Sequence, residues 1–212
     1  MYWNTVTPTL RKVLGAVMET AMFDPFRLVG GTSLSLQMGH RVSVDIDLFT
    51  DADYGAINFN LIDEFFLGNF PYVDTHKGIP VAMGKSWYVG ANIEDAIKVD
   101  IYYTDAYIRP EQVKEGIRMA AREDIIAMKL EVIGSRGRKK DFWDIHRLHD
   151  EFTIKQMIEL YLERYPYSHS EEEIRMALTN AVEVENDFAP QCLLGKSWEL
   201  IKLEITQWVA NE

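Results

Sequence analysis

LVGGTSLSLQMGHRVSVDIDLF, running from Leu28 to Phe49, places a glycine pair after a short apolar run and two aspartates two positions apart inside another. Gly30 and Gly31 between a strand and a helix let the backbone take positive φ and approach a ligand closely. Thr32 or Ser33 is then placed to cap the helix, whose free N–H groups attract anions. Taken alone, Gly30-Gly31-Thr32-Ser33 reads first as an ordinary strand-to-helix turn. The aspartates alter that reading. On a strand Asp45 and Asp47 share one face, about 7 Å apart at their Cα atoms. Ile46, Leu48 and Phe49 predict a buried opposite face. Two solvated aspartates at a strand edge are the bland alternative, but an unpaired carboxylate pair beside buried surface is costly, so the pair wants a cation. Mg²⁺ suits such oxygen ligands, since it keeps several waters and completes its shell with substrate phosphates.

Working outward, Thr7-Pro8 marks a helix start, and Leu10, Val13, Leu14, Val17 and Met18 keep a helical period to about Ala21. Phe26 to Val29 is a short buried strand, Thr32 to Gln37 a helix ended by Gly39, Val44 to Phe49 a second strand, and Phe59 to Phe66 a helix. Ser86 to Asn92 and Ala96 to Tyr103 are rich in β-branched and aromatic residues and read as strands. After Pro110 the pattern predicts no further strand. Helices are expected over Arg122 to Ile133, Phe142 to His149, Thr153 to Tyr165, Glu171 to Asp187 and Trp198 to Val209. The expected class is α+β: a mixed sheet with flanking helices over residues 1–120, and a helical half over 121–212 packed against it.

The chain has 212 residues, enough for a real core, and a formal net charge of -11. That charge argues against a broad nucleic-acid face, so any RNA contact needs a local basic patch, and no DNA partner is expected. The single cysteine, Cys192, excludes an internal disulfide framework and a cysteine metal cluster, and reads as a small packing residue. Neither a signal peptide nor a membrane-spanning run is apparent, which predicts a cytoplasmic protein without a membrane partner.

A third carboxylate is available in Lys98-Val99-Asp100-Ile101, where Lys98 and Asp100 share a strand face. These pieces together resemble the nucleotidyltransferase superfamily, in which a glycine turn precedes a strand bearing two aspartates and a third acid lies on a later strand. More narrowly, Gly30-Gly31-Thr32-Ser33-Leu34, then Gly39-His40-Arg41-Val42-Ser43, then Asp45-Ile46-Asp47-Leu48-Phe49 are similar to the AbiEii/AbiGii toxin family of nucleotidyltransferases. Arg138-Lys139-Lys140-Asp141-Phe142-Trp143-Asp144-Ile145 fits that family's later helical motif. The resemblance covers Phe26 to about Leu148. It implies a nucleotidyltransferase-like sheet and a helical half that completes the nucleotide site. It further implies transfer of a nucleoside monophosphate from an NTP to an RNA (tRNA included) or protein hydroxyl, with a cognate antitoxin as a partner. In that reading Asp45, Asp47 and Asp100 are catalytic and hold Mg²⁺, with Mn²⁺ as a substitute. Gly30, Gly31, Thr32 and Ser33 meet the nucleotide phosphates, and Lys129, Arg138, Lys140, Asp141 and Asp144 complete the nucleotide site. The rival reading is a non-catalytic nucleotide-binding or partner-binding module on the same fold.

Arg136, Arg138, Lys139 and Lys140 form the one dense basic cluster, and Arg suits bidentate phosphate contacts. Asp141 and Asp144 lie three apart on a helix and are placed to orient these cations or the incoming acceptor. His146 and His149 have a spacing that metal sites use, but without a supporting third ligand they read as packing or surface residues. Arg41 and Ser43 read as scaffold and site-entry residues. Trp87, Tyr88, Tyr102 and Tyr103 read mainly as core, with a nucleobase stack as the minority view.

Overall fold

The computed structural model describes residues 1–75 and 82–212. Helix α1 (Pro8–Met18) starts where Thr7 accepts the Leu10 N–H, with Pro8 in the first turn. Strand β1 (Arg27–Leu28) leads directly into α2 (Gly30–Met38), which Gly39 ends in the left-handed conformation. Then follow β2 (Asp45–Thr50), α3 (Phe59–Asn69), β3 (Tyr72–Thr75), β4 (Gly84–Gly90) and β5 (Ile97–Tyr103). A short hairpin, β6 (Gln112–Lys114) and β7 (Ile117–Met119), precedes the helices α4 (Arg122–Ser135), α5 (Lys139–Leu148), α6 (Ile154–Arg164), α7 (Glu171–Thr179) and α8 (Trp198–Asn211).

Among the described residues, seven strands form one mixed sheet in the order β3-β4-β5-β2-β1-β7-β6. β2 and β5 are parallel neighbours at its centre, and β1 lies antiparallel to β2 and parallel to β7. The mixed α+β class expected from the sequence is therefore observed. Among the described residues, two apolar clusters hold the chain together. One joins α1 and α3 to the sheet through Leu10, Phe23, Phe66, Trp87 and Val99. The other packs Leu34 and Met38 of α2 against Ile125, Phe142, Tyr161, Trp198 and Ile205 of the helical half. Helix α2 contributes to both clusters, Leu36 facing the first and Leu34 the second.

Three expectations are corrected. Strands do not end at Pro110: Glu115 and Gly116 both take positive φ, the conformation a two-residue hairpin turn demands, and β7 continues the sheet from β1. The helix expected over Glu171 to Asp187 stops at Thr179, and a 3₁₀ turn at Val182–Val184 follows. Phe49 lies on the acid-bearing face of β2, half-buried, because only Ile46, Leu48 and Thr50 alternate into the core.

Candidate active site

Residues of one strand with a period of two settle on opposite faces, so β2 turns Ile46 and Leu48 fully inward and Asp45 and Asp47 the other way. Parallel pairing with β5 sets Asp47 opposite Asp100 and Asp45 opposite Lys98. β4 adds Ser86 opposite Asp100 from the other side. Ser86 donates its hydroxyl to Asp100 Oδ1 at 2.6 Å, and Lys98 Nζ donates to Oδ2 at 2.6 Å. Asp100 is thus held in place, whereas among the described residues the Asp45 carboxylate is met only at 3.8 Å, by Lys140 Nζ. Burial raises the Asp47 carboxyl to about 6, and the charges of Asp100 and Asp45 add to this against the opposing pull of Lys129 and Lys140. Three negative groups on one sheet face are short of positive charge.

The glycine turn abuts these acids. Gly30 takes φ +66°, and a Cβ there would stand 2.7 Å from Asp47 Oδ2, so only glycine permits the approach. The start of α2 carries no side-chain cap. Contrary to expectation, neither Thr32 nor Ser33 caps it, because the helix begins two residues earlier. Thr32 instead donates to the Ser43 hydroxyl and the Asp45 carbonyl, tying α2 to the entry of β2. Ser33 accepts from Gln37 and is buried.

Behind the turn lies a buried charge network. Arg41 clasps Asp144 in a two-pronged contact, Nε to Oδ1 at 2.7 Å and Nη2 to Oδ2 at 2.8 Å. Lys129 Nζ reaches Asp141 Oδ1 at 2.6 Å and Asp144 Oδ2 at 2.8 Å, and His40 Nε2 meets Asp144 Oδ1 at 2.7 Å. Burial alone would raise the Asp144 carboxyl, but Arg41, Lys129 and His40 hold it well below the ordinary range. Burial likewise opposes charge on Lys129 and Arg41, and the aspartates outweigh it, raising both. For His40 burial wins, and its pKa is lowered. Gly31 closes the packing: a Cβ there would fall 2.1 Å from Arg41 Nη2.

Asp141 and Asp144 therefore do orient cations, but these are Lys129 and Arg41 rather than the basic cluster. Asp141 also accepts the Arg138 backbone N–H at 2.9 Å, securing the start of α5. Asp144 and Lys129 are sealed from solvent. Arg138 is exposed and Lys140 half-exposed, both on a cleft of about 920 Å³ that begins at Asp45. Lys139 turns away to the Glu185 carbonyl. His146 pairs with Glu204, and His149 stacks on Trp208, so neither histidine enters the site. Trp87 and Tyr103 are buried, while Tyr88 is exposed and Tyr102 half-buried.

Among the described residues, no three His, Cys, Asp or Glu side chains form a metal cluster. The acids present suit an ion that takes part of its shell from water and phosphate oxygens, as Mg²⁺ does. Sequence reasoning gave Arg41 only a scaffold role and did not single out Ser86. The signal for Arg41 was an arginine inside an otherwise apolar segment, its partner Asp144 lying 103 residues away.

Solved structures share this architecture. A Helicobacter pylori protein described as a candidate nucleotidyltransferase aligns over 95% of this chain and 90% of its own, with a TM-score of 0.58 at 20% identity. MenT4, a nucleotidyltransferase toxin of Mycobacterium tuberculosis, aligns over 96% and 84%, with a TM-score of 0.57 at 15% identity. The fold is thus that of the nucleotidyltransferases. An uncharacterised protein of Aquifex aeolicus is 29% identical over 163 residues, 73% of each chain. The sequence profile of the nucleotidyl transferase AbiEii toxin, type IV toxin–antitoxin system, matches residues 12–192, and the chain belongs to that family. Among the described residues no helix is long and apolar enough to cross a membrane.

Proposed function

We propose that the chain is a Mg²⁺-dependent enzyme that moves a nucleoside monophosphate from an NTP to a hydroxyl of RNA, tRNA included, or of protein. Its role is that of a toxin held by a cognate antitoxin. The observation that carries this reading is the placement of Asp45, Asp47 and Asp100 on one face of two paired parallel strands, Asp47 directly opposite Asp100, beside an uncapped helix start. Asp45 and Asp47 would hold the metal with Asp100, and Mn²⁺ could replace Mg²⁺. When bound, the ion neutralises the triphosphate and the attacking oxygen.

The chain's own groups do the rest. Backbone N–H groups at Gly30, Gly31, Thr32 and Ser33 suit the phosphates, since a helix start attracts anions. Lys140 and Arg138 approach the phosphates from the cleft side. Lys129, Asp141 and Asp144 act from beneath, fixing Arg41 against Gly31 so that the turn keeps its shape. Asp100, aligned by Ser86 and Lys98, orients the acceptor hydroxyl and draws off its proton. The acceptor oxygen bonds to the α-phosphorus, the bond from that phosphorus to the β-phosphate oxygen breaks, and pyrophosphate leaves. Positioning and charge neutralisation provide most of the acceleration.

The test is incubation with each labelled NTP, Mg²⁺ and total cellular RNA or protein. Label should move to a macromolecule with the wild type and not with Asp45→Asn or Asp47→Asn. NTP binding by wild type and Asp100→Asn alike, with no transfer by either, would mark a non-catalytic binding module instead.

A further inference from the structure

The cleft beside Asp45 has a chemical character that the acids and the glycine turn do not explain. It is bounded by the approach to β2 (Arg41 to Asp45), by the end of α4 with the loop into α5 (Glu131 to Lys140), and by the loop Asp187 to Gln191. Each boundary presents an apolar side chain to solvent: Val44 is 55% exposed, Val132 47% and Phe188 100%. One exposed apolar residue needs no explanation, but three from separate segments around one cleft mark a binding surface.

Phe188 is not on a loose tail. Lys139 Nζ donates to the Glu185 carbonyl at 2.7 Å on one side of it, and the Val42 N–H donates to the Gln191 carbonyl at 2.9 Å on the other. Leu193 N–H to the His40 carbonyl, at 2.9 Å, extends that second anchor. A phenyl ring fully in water on a loop pinned at both ends is a prepared contact surface, with little ordering left to do on binding.

The charges say what the surface meets. Arg136 and Arg138 are exposed on the same cleft, and among the described residues neither side chain forms an ion pair or side-chain hydrogen bond. Glu131, also on the cleft, is engaged by the Tyr161 and Ser168 hydroxyls. Lys140, on the same cleft, reaches to within 3.8 Å of the Asp45 carboxylate. A ligand that is flat and apolar at one end and polyanionic at the other fits this order, and the cleft's volume is in the range for small-molecule sites.

Resting on the reading above, we propose that this cleft is the nucleoside subsite. The base of the incoming NTP stacks on Phe188, and Arg136 and Arg138 steer its phosphates toward Lys140 and Asp45. Phe188 is then a base-binding residue. Stacking of this kind is sequence-tolerant, because every base has a π-face.

The test compares wild type, Phe188→Ala and Phe188→Trp by calorimetry in Mg²⁺, with each of the four NTPs and with inorganic tripolyphosphate. The wild type should bind NTPs more tightly than tripolyphosphate. Phe188→Ala should weaken NTP binding by roughly tenfold, leave tripolyphosphate binding unchanged, and be rescued by Phe188→Trp. Because Phe188 is fully exposed among the described residues, the variants should melt as the wild type does. NTP binding unaffected by Phe188→Ala overturns the subsite while leaving the transferase reading intact. If that variant instead loses only binding of acceptor RNA, the cleft serves the acceptor and the proposal fails. Absence of any NTP or tripolyphosphate binding by the wild type defeats both.

Discussion

Asp47 and Asp100 stand directly opposite one another on adjacent parallel strands, and burial, with the charge of Asp100 adding to it, raises the Asp47 carboxyl to about 6. A carboxyl whose folded pKa lies above its unfolded one favours the native state when protonated. That advantage is present below about pH 4 and is lost as pH rises through 6. In metal-free buffer at pH 7.5, Asp47→Asn should therefore be more stable than the wild type, on the order of 2 kcal/mol or several degrees in Tm. The gap should close as pH falls below about 4. Equal melting at pH 7.5 would contradict the assignment.

By the same reasoning, Mn²⁺ should bind the wild type progressively better as pH rises through about 6, because the Asp47 proton competes with the ion. Proton release measured during metal titration checks this, and release should be absent in Asp47→Asn. A flat pH response would argue that Asp47 is not a ligand.

Gly30→Ala tests whether the turn and the acids act as one unit. The positive φ alone costs an alanine about 1–2 kcal/mol, but the added carbon would also displace the Asp47 carboxylate. Transfer activity should drop by about a hundredfold, far beyond what the stability change explains. Activity that simply follows the folded fraction would disprove the coupling.

Asp144→Asn removes the charge that Arg41, Lys129 and His40 share. Breaking a buried pair on one side costs about 3–5 kcal/mol, measurable by urea unfolding. A loss below about 1 kcal/mol would mean that the network is solvated rather than buried.

Arg164 supplies a control whose side-chain partners are Thr104, Asp105, Ala106, Asp124 and Tyr165 rather than the three acids. It is fully buried, pairs with Asp124 at 2.7 Å, and donates to the Ala106 and Asp105 carbonyls at 2.8 Å each, fastening α6 to the chain after β5. Arg164→Met should destabilise by a similar few kcal/mol, yet leave kcat/KM unchanged at temperatures where it is folded. A specific activity loss would extend the site to this clamp.

The glycine turn, the acid strand and the central pairing partner Asp100 were legible because each depends on short-range pattern: a strand period of two and a turn needing glycine. Strands β6 and β7 were not, since three residues carry too little periodicity. The Glu115-Gly116 turn was the available signal for that hairpin. Nor can spacing reveal whether Asp144 faces a cleft or a cation. The same carboxylate suits both, and only the packing of α5 against α2 and α4 decides. Phe188 directly followed a helix expected to run to Asp187, and the early end of that helix at Thr179 leaves it on a loop beside the cleft.

The order of synthesis gives the position of β1 a further meaning. That two-residue strand is bounded by β2 on one side and by β7 on the other, and the Arg41 guanidinium at the turn is held by the adjacent Val42 carbonyl and, at long range, by Asp144. Both long-range partners leave the ribosome well after the turn itself does. A nascent chain that has released Asp45 and Asp47 still lacks the strand and the aspartate that set the glycine turn in place. The acids of this chain meet a finished turn only after Asp144 has been made, so a translation product interrupted before that point lacks the packing that sets the turn beside them.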